Sequence, residues 1–118
     1  MREEALALLG DALRIADTTG ARWFAAELNR TKGRLLLGQG HSEAAEELYC
    51  KALSIAKEQG AKLWELRAAA SLARLLRRDR DRLAEARDLL APVHDWFTEG
   101  FDTPDLTEAK ALLDELNA

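Results

Sequence analysis

The segment Ala12-Leu13-x-Ile15-Ala16-x-x-x-Gly20-Ala21 returns forty residues later as Ala52-Leu53-x-Ile55-Ala56-x-x-x-Gly60-Ala61. The same offset carries Ala5 to Ala45, Leu8 to Leu48, Phe24 to Trp64, Arg34 to Arg74, Leu35 to Leu75 and Leu36 to Leu76. Repetition at this period constrains the fold more than any single motif does. Each unit buries its apolar face only by stacking on its neighbours, and the product is an extended surface rather than an enclosed active site. The residue types agree with helices: the chain is 47% hydrophobic and 32% charged with two prolines, and it is rich in Ala, Leu, Glu and Arg, all strong helix formers. An all-α array is expected, without a sheet.

The 118 residues make one domain, 1–118, close to the smallest stable array of two-helix units. Apolar periodicity, punctuated by Gly20, Gly38, Gly40, Gly60 and Gly100, predicts six helices over 2–18, 21–38, 42–59, 61–78, 82–98 and 104–117. Ser42 is expected to cap the third, with Glu43 and Glu46 at the positive end of its dipole. Thr103-Pro104 marks the start of the last, because Pro suits the first helical position, where a missing N–H is no loss. Pro92 predicts a kink inside the fifth helix, since apolar Val93, Trp96 and Phe97 continue beyond it.

The net charge of −4 is unevenly spread: residues 1–66 carry −1, 67–87 carry +4 and 88–118 carry −7. Nucleic-acid binding needs a coherent basic surface, which the acidic end would oppose, so nucleic acid is not the expected partner. Cys50 is the single cysteine and has no internal disulfide partner. With no secretory h-region and no apolar run of about eighteen residues, the expected location is the cytoplasm, away from the membrane.

Ala45-x-x-x-Tyr49-x-x-Ala52 resembles the second helix of the tetratricopeptide repeat, and Ala5-x-x-x-Leu9-x-x-Ala12 and Ala86-x-x-x-Leu90-x-x-Val93 are looser versions. Gly33 stands where that family places a first-helix glycine, Ala73 is its equivalent one unit on, and Gly40 is the turn glycine. The resemblance implies an α-solenoid of antiparallel helix hairpins in which these small residues let helices approach closely. Because of two departures a standard superhelix does not follow: no Trp precedes Gly33 at the usual place, and the spacing is about forty residues instead of about thirty-four.

A narrower resemblance lies in Glu58-Gln59-Gly60-Ala61-Lys62-Leu63-Trp64-Glu65-Leu66-Arg67-Ala68-Ala69, in Leu72-Ala73-Arg74-Leu75, and in Ala84-Glu85-Ala86-Arg87-Asp88-Leu89-Leu90-Ala91-Pro92-Val93 running on to Trp96-Phe97-Thr98-Glu99-Gly100-Phe101-Asp102-Thr103-Pro104-Asp105-Leu106. These stretches are similar to the C-terminal end of bacterial multidomain proteins. Such proteins carry an adenylate or guanylate cyclase domain, or another output module, and a signal-transduction ATPase, and close with tetratricopeptide repeats. The chain contains none of the catalytic or phosphate-binding motifs of those upstream domains, so their activities do not carry over. What the resemblance implies is a regulatory or protein-binding tail. Helix 2–18 agrees, since it aligns with a second helix and lacks its first-helix partner.

Candidate sites are few. Gly33-x-x-x-x-Gly38 lacks the Lys and Ser or Thr of a phosphate loop. His41 and His94 lie far apart with no ligand-spaced neighbours, so no metal or other cofactor is expected; His41 reads as a turn residue and His94 as a half-buried helix residue. Arg87 and His94 resemble the Arg-x4-6-His pattern of helical RNA-cleaving domains, the alternative enzymatic reading. Cys50 is expected in the core. Phe24 and Trp64 are expected to wedge first helices against preceding second helices, and Trp96, Phe97 and Phe101 to seat the final helix.

The arginines form the one surface pattern that repeats with the fold. Counting from Gly33 and Ala73 places Arg30 and Arg34 on one first helix beside Arg67, Arg74 and Arg77 on the next, at spacings of three, four and seven that keep side chains on one face. Arg forks suit carboxylates and phosphates, so the expected ligand is an acidic peptide or protein segment, including one from upstream domains of the same chain. The competing reading is a solvated face whose charges pair with Asp79, Asp81 and Glu85. The apolar face of helix 2–18, with Leu6, Leu8, Leu9, Leu13 and Ile15, has one neighbouring unit to cover it, and self-association into a homodimer is expected there.

Overall fold

The computed structural model describes residues 6–8, 10–11, 25–98 and 103–117, and each regular element among them is helical. We number the helices α1 (Ala25–Gly38), α2 (Ser42–Gln59), α3 (Lys62–Leu76), α4 (Leu83–Trp96) and α5 (Pro104–Leu116), with a 3₁₀ turn at Arg80–Arg82 before α4. Residues 6–8 and 10–11 are also helical and belong to the predicted segment 2–18. Each helix packs on its neighbours in the chain, and α1 also meets α3 and α3 meets α5. Alternate helices therefore stand side by side, the arrangement that makes a helical-repeat array.

Alanine lets the layers close. On α2 the buried residues are Ala45, Tyr49, Ala52, Leu53, Ile55 and Ala56, and Ala45 and Ala52 are wholly inaccessible, as their repeat positions predict. They join Leu66, Ala69, Leu72 and Ala73 of α3, Ala86 and Leu90 of α4, and Leu106, Leu112 and Leu116 of α5 in one core. A smaller cluster gathers Ala25, Ala26, Ile55 and Ala56 beneath Trp64, the wedge expected of Trp64; Phe24 lies outside the described residues.

Gly33 explains how close α1 and α2 come. A Cβ there would lie 2.9 Å from Tyr49 Cε1 and 3.3 Å from the Ala45 carbonyl oxygen, so any side chain would displace a ring that is 2% exposed. Glycine inside a helix costs about 1 kcal/mol relative to alanine, and the contact with Tyr49 is what that cost secures. At the other end of α2, Gly60 takes φ 65°, which lets the Ala61 N–H reach the Ala56 carbonyl at 3.0 Å and close the helix.

Several local expectations are corrected. The residue before α2 is His41, at φ −91° and ψ 68° with no side-chain cap; its carbonyl accepts the Ala45 N–H at 3.0 Å, and Ser42 is already helical. The fourth predicted helix stops at Leu76, because Asp79 accepts the Asp81 N–H at 3.0 Å and diverts the backbone into the 3₁₀ turn. Helix α4 does continue past Pro92, as expected, and runs to Trp96. There Phe97 takes the inward place against the core, and Trp96, expected to seat the final helix, turns out to 56% exposure. Its ring meets Phe97 edge-on at 5.2 Å, and Lys62 Nζ stands 5.4 Å from its centre. Cys50 is exposed rather than core: one residue on from buried Tyr49 is a rotation of about 100° around the helix. Trp23 and Phe101 lie outside the described residues.

Candidate functional site

Helices α1 and α3 run side by side, so the faces carrying their arginines meet. A cavity of about 300 Å³ is lined by Arg30 and Arg34 from α1, Arg67 and Arg74 from α3, and Asp105 and Glu108 from α5, over a floor that includes Leu66 and Ala70. A second, also about 300 Å³, is lined by Arg34, Arg74, Arg77 and Arg78 around Tyr49, Leu37 and Leu75. The two adjoin, sharing Arg34, Ser71 and Arg74, and each of the five arginines expected from sequence borders one or both of them.

Their partners differ from those expected. Arg30 Nη2 donates to Glu27 at 2.9 Å. Arg67 donates from Nε and Nη2 to Asp105 Oδ2, both at 3.2 Å, and its Nη1 lies 3.7 Å from Glu27; the Asp105 hydrogen bond holds its pKa above the ordinary arginine value. Arg74 reaches Glu108 at 3.3 Å, and Arg77 donates to Glu115. Three of the five are therefore met by carboxylates of α5. Asp79 instead organises its own turn, and Glu85 is taken by Arg82. Arg34 is exposed and makes no ion pair with a described residue.

Besides the α5 carboxylates, sequence reasoning missed four residues at or around the cavities. Arg78 lies inside the predicted helix 61–78 but about 100° round from the stripe that Arg77 continues; it reaches the cavity because the chain leaves the helix after Leu76. Tyr49, read as a packing residue, also lines the second cavity; burial pushes its phenol pKa up, and nearby Arg34, Arg30, Arg78 and Arg74 pull it partly back. Ser71 is buried between the two cavities. Arg82 braces the frame, donating to both Glu46 oxygens at 2.7 and 3.0 Å and to Glu85 at 2.9 and 3.0 Å. These contacts hold the Arg82 pKa above its usual value and the Glu85 carboxyl below its own.

The alternative catalytic residues have separate neighbours. Arg87 Nη1 lies 3.5 Å from Asn117 Oδ1, and His94 Nδ1 is 3.2 Å from Asp95. The Cys50 thiol is pushed above its ordinary pKa by local desolvation and then by the Glu46 carboxylate, which disfavours the thiolate that nucleophilic chemistry needs. Among the described residues no group of His, Cys, Asp and Glu side chains is placed to hold a metal ion, and no helix is long and apolar enough to cross a membrane.

Comparison of the chain with protein-family models, curated proteins and solved structures found no match. Fold and surface define the class: an all-α, helical-repeat type of module with an arginine-lined hollow on the face formed by α1, α3 and α5.

Proposed function

We propose that this chain is a non-catalytic interaction module of the tetratricopeptide kind that docks an acidic protein segment on its arginine face. We place it in the cytoplasm, as the C-terminal part of a signalling protein with cyclase-like or signal-transduction ATPase domains; that placement rests on the stretches from Glu58 to Leu106 that resemble such proteins. One observation carries the binding reading: the surface already holds an acidic helical face, with Asp105, Glu108 and Glu115 of α5 against Arg67, Arg74 and Arg77. A free acidic segment would use the same chemistry at Arg34 and beside it. Its source is an upstream domain of the same chain or a second protein.

The test is fluorescence polarisation with a labelled Asp- and Glu-rich peptide. Binding is expected to weaken with salt, since exposed charges are screened over about 8–10 Å at physiological ionic strength. Arg34→Glu with Arg74→Glu is expected to abolish it while leaving helicity intact. Salt-insensitive binding, or binding unchanged in the double variant, removes the groove from the account. Metal-independent cleavage of an RNA oligonucleotide, lost in His94→Ala, would overturn the non-catalytic reading.

A further inference from the structure

Charge is unevenly answered along the hollow. The cavity at its Tyr49 end is bordered by Arg34, Arg74, Arg77 and Arg78, and no carboxylate of a described residue lines it. Arg34 and Arg78 make no ion pair with a described residue. Arg74 and Arg77 are bound to Glu108 and Glu115 only through exposed pairs, which are weak and easily exchanged. Arg34 and Arg78 thus leave two positive charges in this space that no described carboxylate answers, beside two that are only weakly answered.

Tyr49 supplies the second observation. It is 2% exposed, it lines this cavity, and its hydroxyl makes no hydrogen bond with a described residue. The hydroxyl oxygen is not sealed from solvent, so it opens on the cavity as a donor that an entering acceptor can reach. The raised pKa of the phenol means that the group keeps its proton at neutral pH and remains a donor. Gly33, by admitting the ring against α1, is what lets it sit there.

A carboxylate offers one charge and two oxygens to this set. A phosphate monoester offers about −1.5 to −2 charges and three strong acceptor oxygens, enough for two arginine forks and the phenol together. Leu37 and Leu75 border the same space and suit the short apolar stem that carries such a group. We infer that this cavity is a phosphoryl-binding subsite of the groove, taking a phosphorylated serine or threonine side chain within an otherwise acidic segment. The inference rests on the groove reading above. A peptide is favoured over a free phosphate ester because the hollow continues past Arg34 and Arg74 to Arg30 and Arg67, surface that a small ester would leave unused.

The experiment compares three labelled acidic peptides, identical but for phosphoserine, serine or glutamate at the central position, with inorganic phosphate and a nucleoside monophosphate as competitors. The phosphoserine peptide is expected to bind about tenfold more tightly than the other two, as a charge-assisted contact to several donors should. Tyr49→Phe and Arg78→Gln, each checked for an unchanged melting curve, are expected to bring the affinity for the phosphoserine peptide to within about twofold of that for the serine peptide measured on the same variant. Equal binding of all three peptides overturns the phosphoryl subsite and leaves the groove standing, whereas failure of all three removes the groove itself. Displacement by the nucleoside monophosphate or phosphate at concentrations matching the phosphopeptide overturns the peptide as the source of the phosphoryl group.

Discussion

Tyr49 is the residue at which the core and the proposed binding cavity meet. Its ring fills the space that Gly33 leaves between α1 and α2, and its hydroxyl end borders a cavity of arginines. Folding raises the phenol pKa, so its contribution to stability is complete below about 10, and it is lost as pH rises from there through the folded value, where the unfolded chain ionises first. Because Tyr49 is the only tyrosine, the near-ultraviolet phenolate band reports it alone. The native protein is expected to titrate at higher pH than the denaturant-unfolded chain; coincident midpoints would mean that the ring is not buried as described. Tyr49's place in the core was legible from its spacing to Ala45 and Ala52. Its second role was not, since a helical pattern shows which face a side chain takes but not what lies beyond the tip of the ring.

At the scale of elements, α5 is fastened in two ways. Leu106, Ala109, Leu112, Leu113 and Leu116 are buried in the core, and Asp105, Glu108 and Glu115 meet α3 arginines along the outer edge of the contact. Burial provides the adhesion, at about 25 cal/mol per Å² of apolar surface, whereas exposed ion pairs of this kind are worth about 0–1 kcal/mol. Glu108→Gln with Glu115→Gln is therefore expected to leave the melting temperature nearly unchanged and to tighten binding of an acidic peptide, because Arg74 and Arg77 are released. A large loss of stability would show that the charges, not the leucines, hold α5. The helices and their contact alanines were readable because the forty-residue offset repeats them, and Arg34 and Arg74 were readable for the same reason. The α5 carboxylates were not. They have no counterpart at that offset, and their partners depend on the α3–α5 packing, which no local pattern encodes; the nearby Asp79, Asp81 and Glu85 were the obvious candidates in sequence and are used elsewhere.

On the scale of the whole molecule, the described residues extend 41 × 31 × 21 Å, with the arginine hollow on one face and large exposed apolar side chains at Leu8, Leu63 and Trp96. Leu8 is 69% exposed on the helical segment that leads into the array. Self-association through that edge is the expected outcome, measured by sedimentation over a range of concentrations, and Leu8→Glu is expected to shift the population towards monomer. A wild-type chain that stays monomeric throughout would exclude it. The charge split between 67–87 and 88–118 was visible from the outset, but its use is intramolecular: positive α3 and negative α5 are neighbours. For the proposed acidic ligand, that adjacency makes α5 a tethered competitor. An incoming acid must displace side chains that share its chemistry and whose local concentration, fixed by the fold, dilution cannot lower. Because the buried leucines keep the competitor in place, an acidic segment of the proposed kind would meet a rival of equal strength at Arg67, Arg74 and Arg77 and gain most at Arg34, which has no carboxylate partner among the described residues.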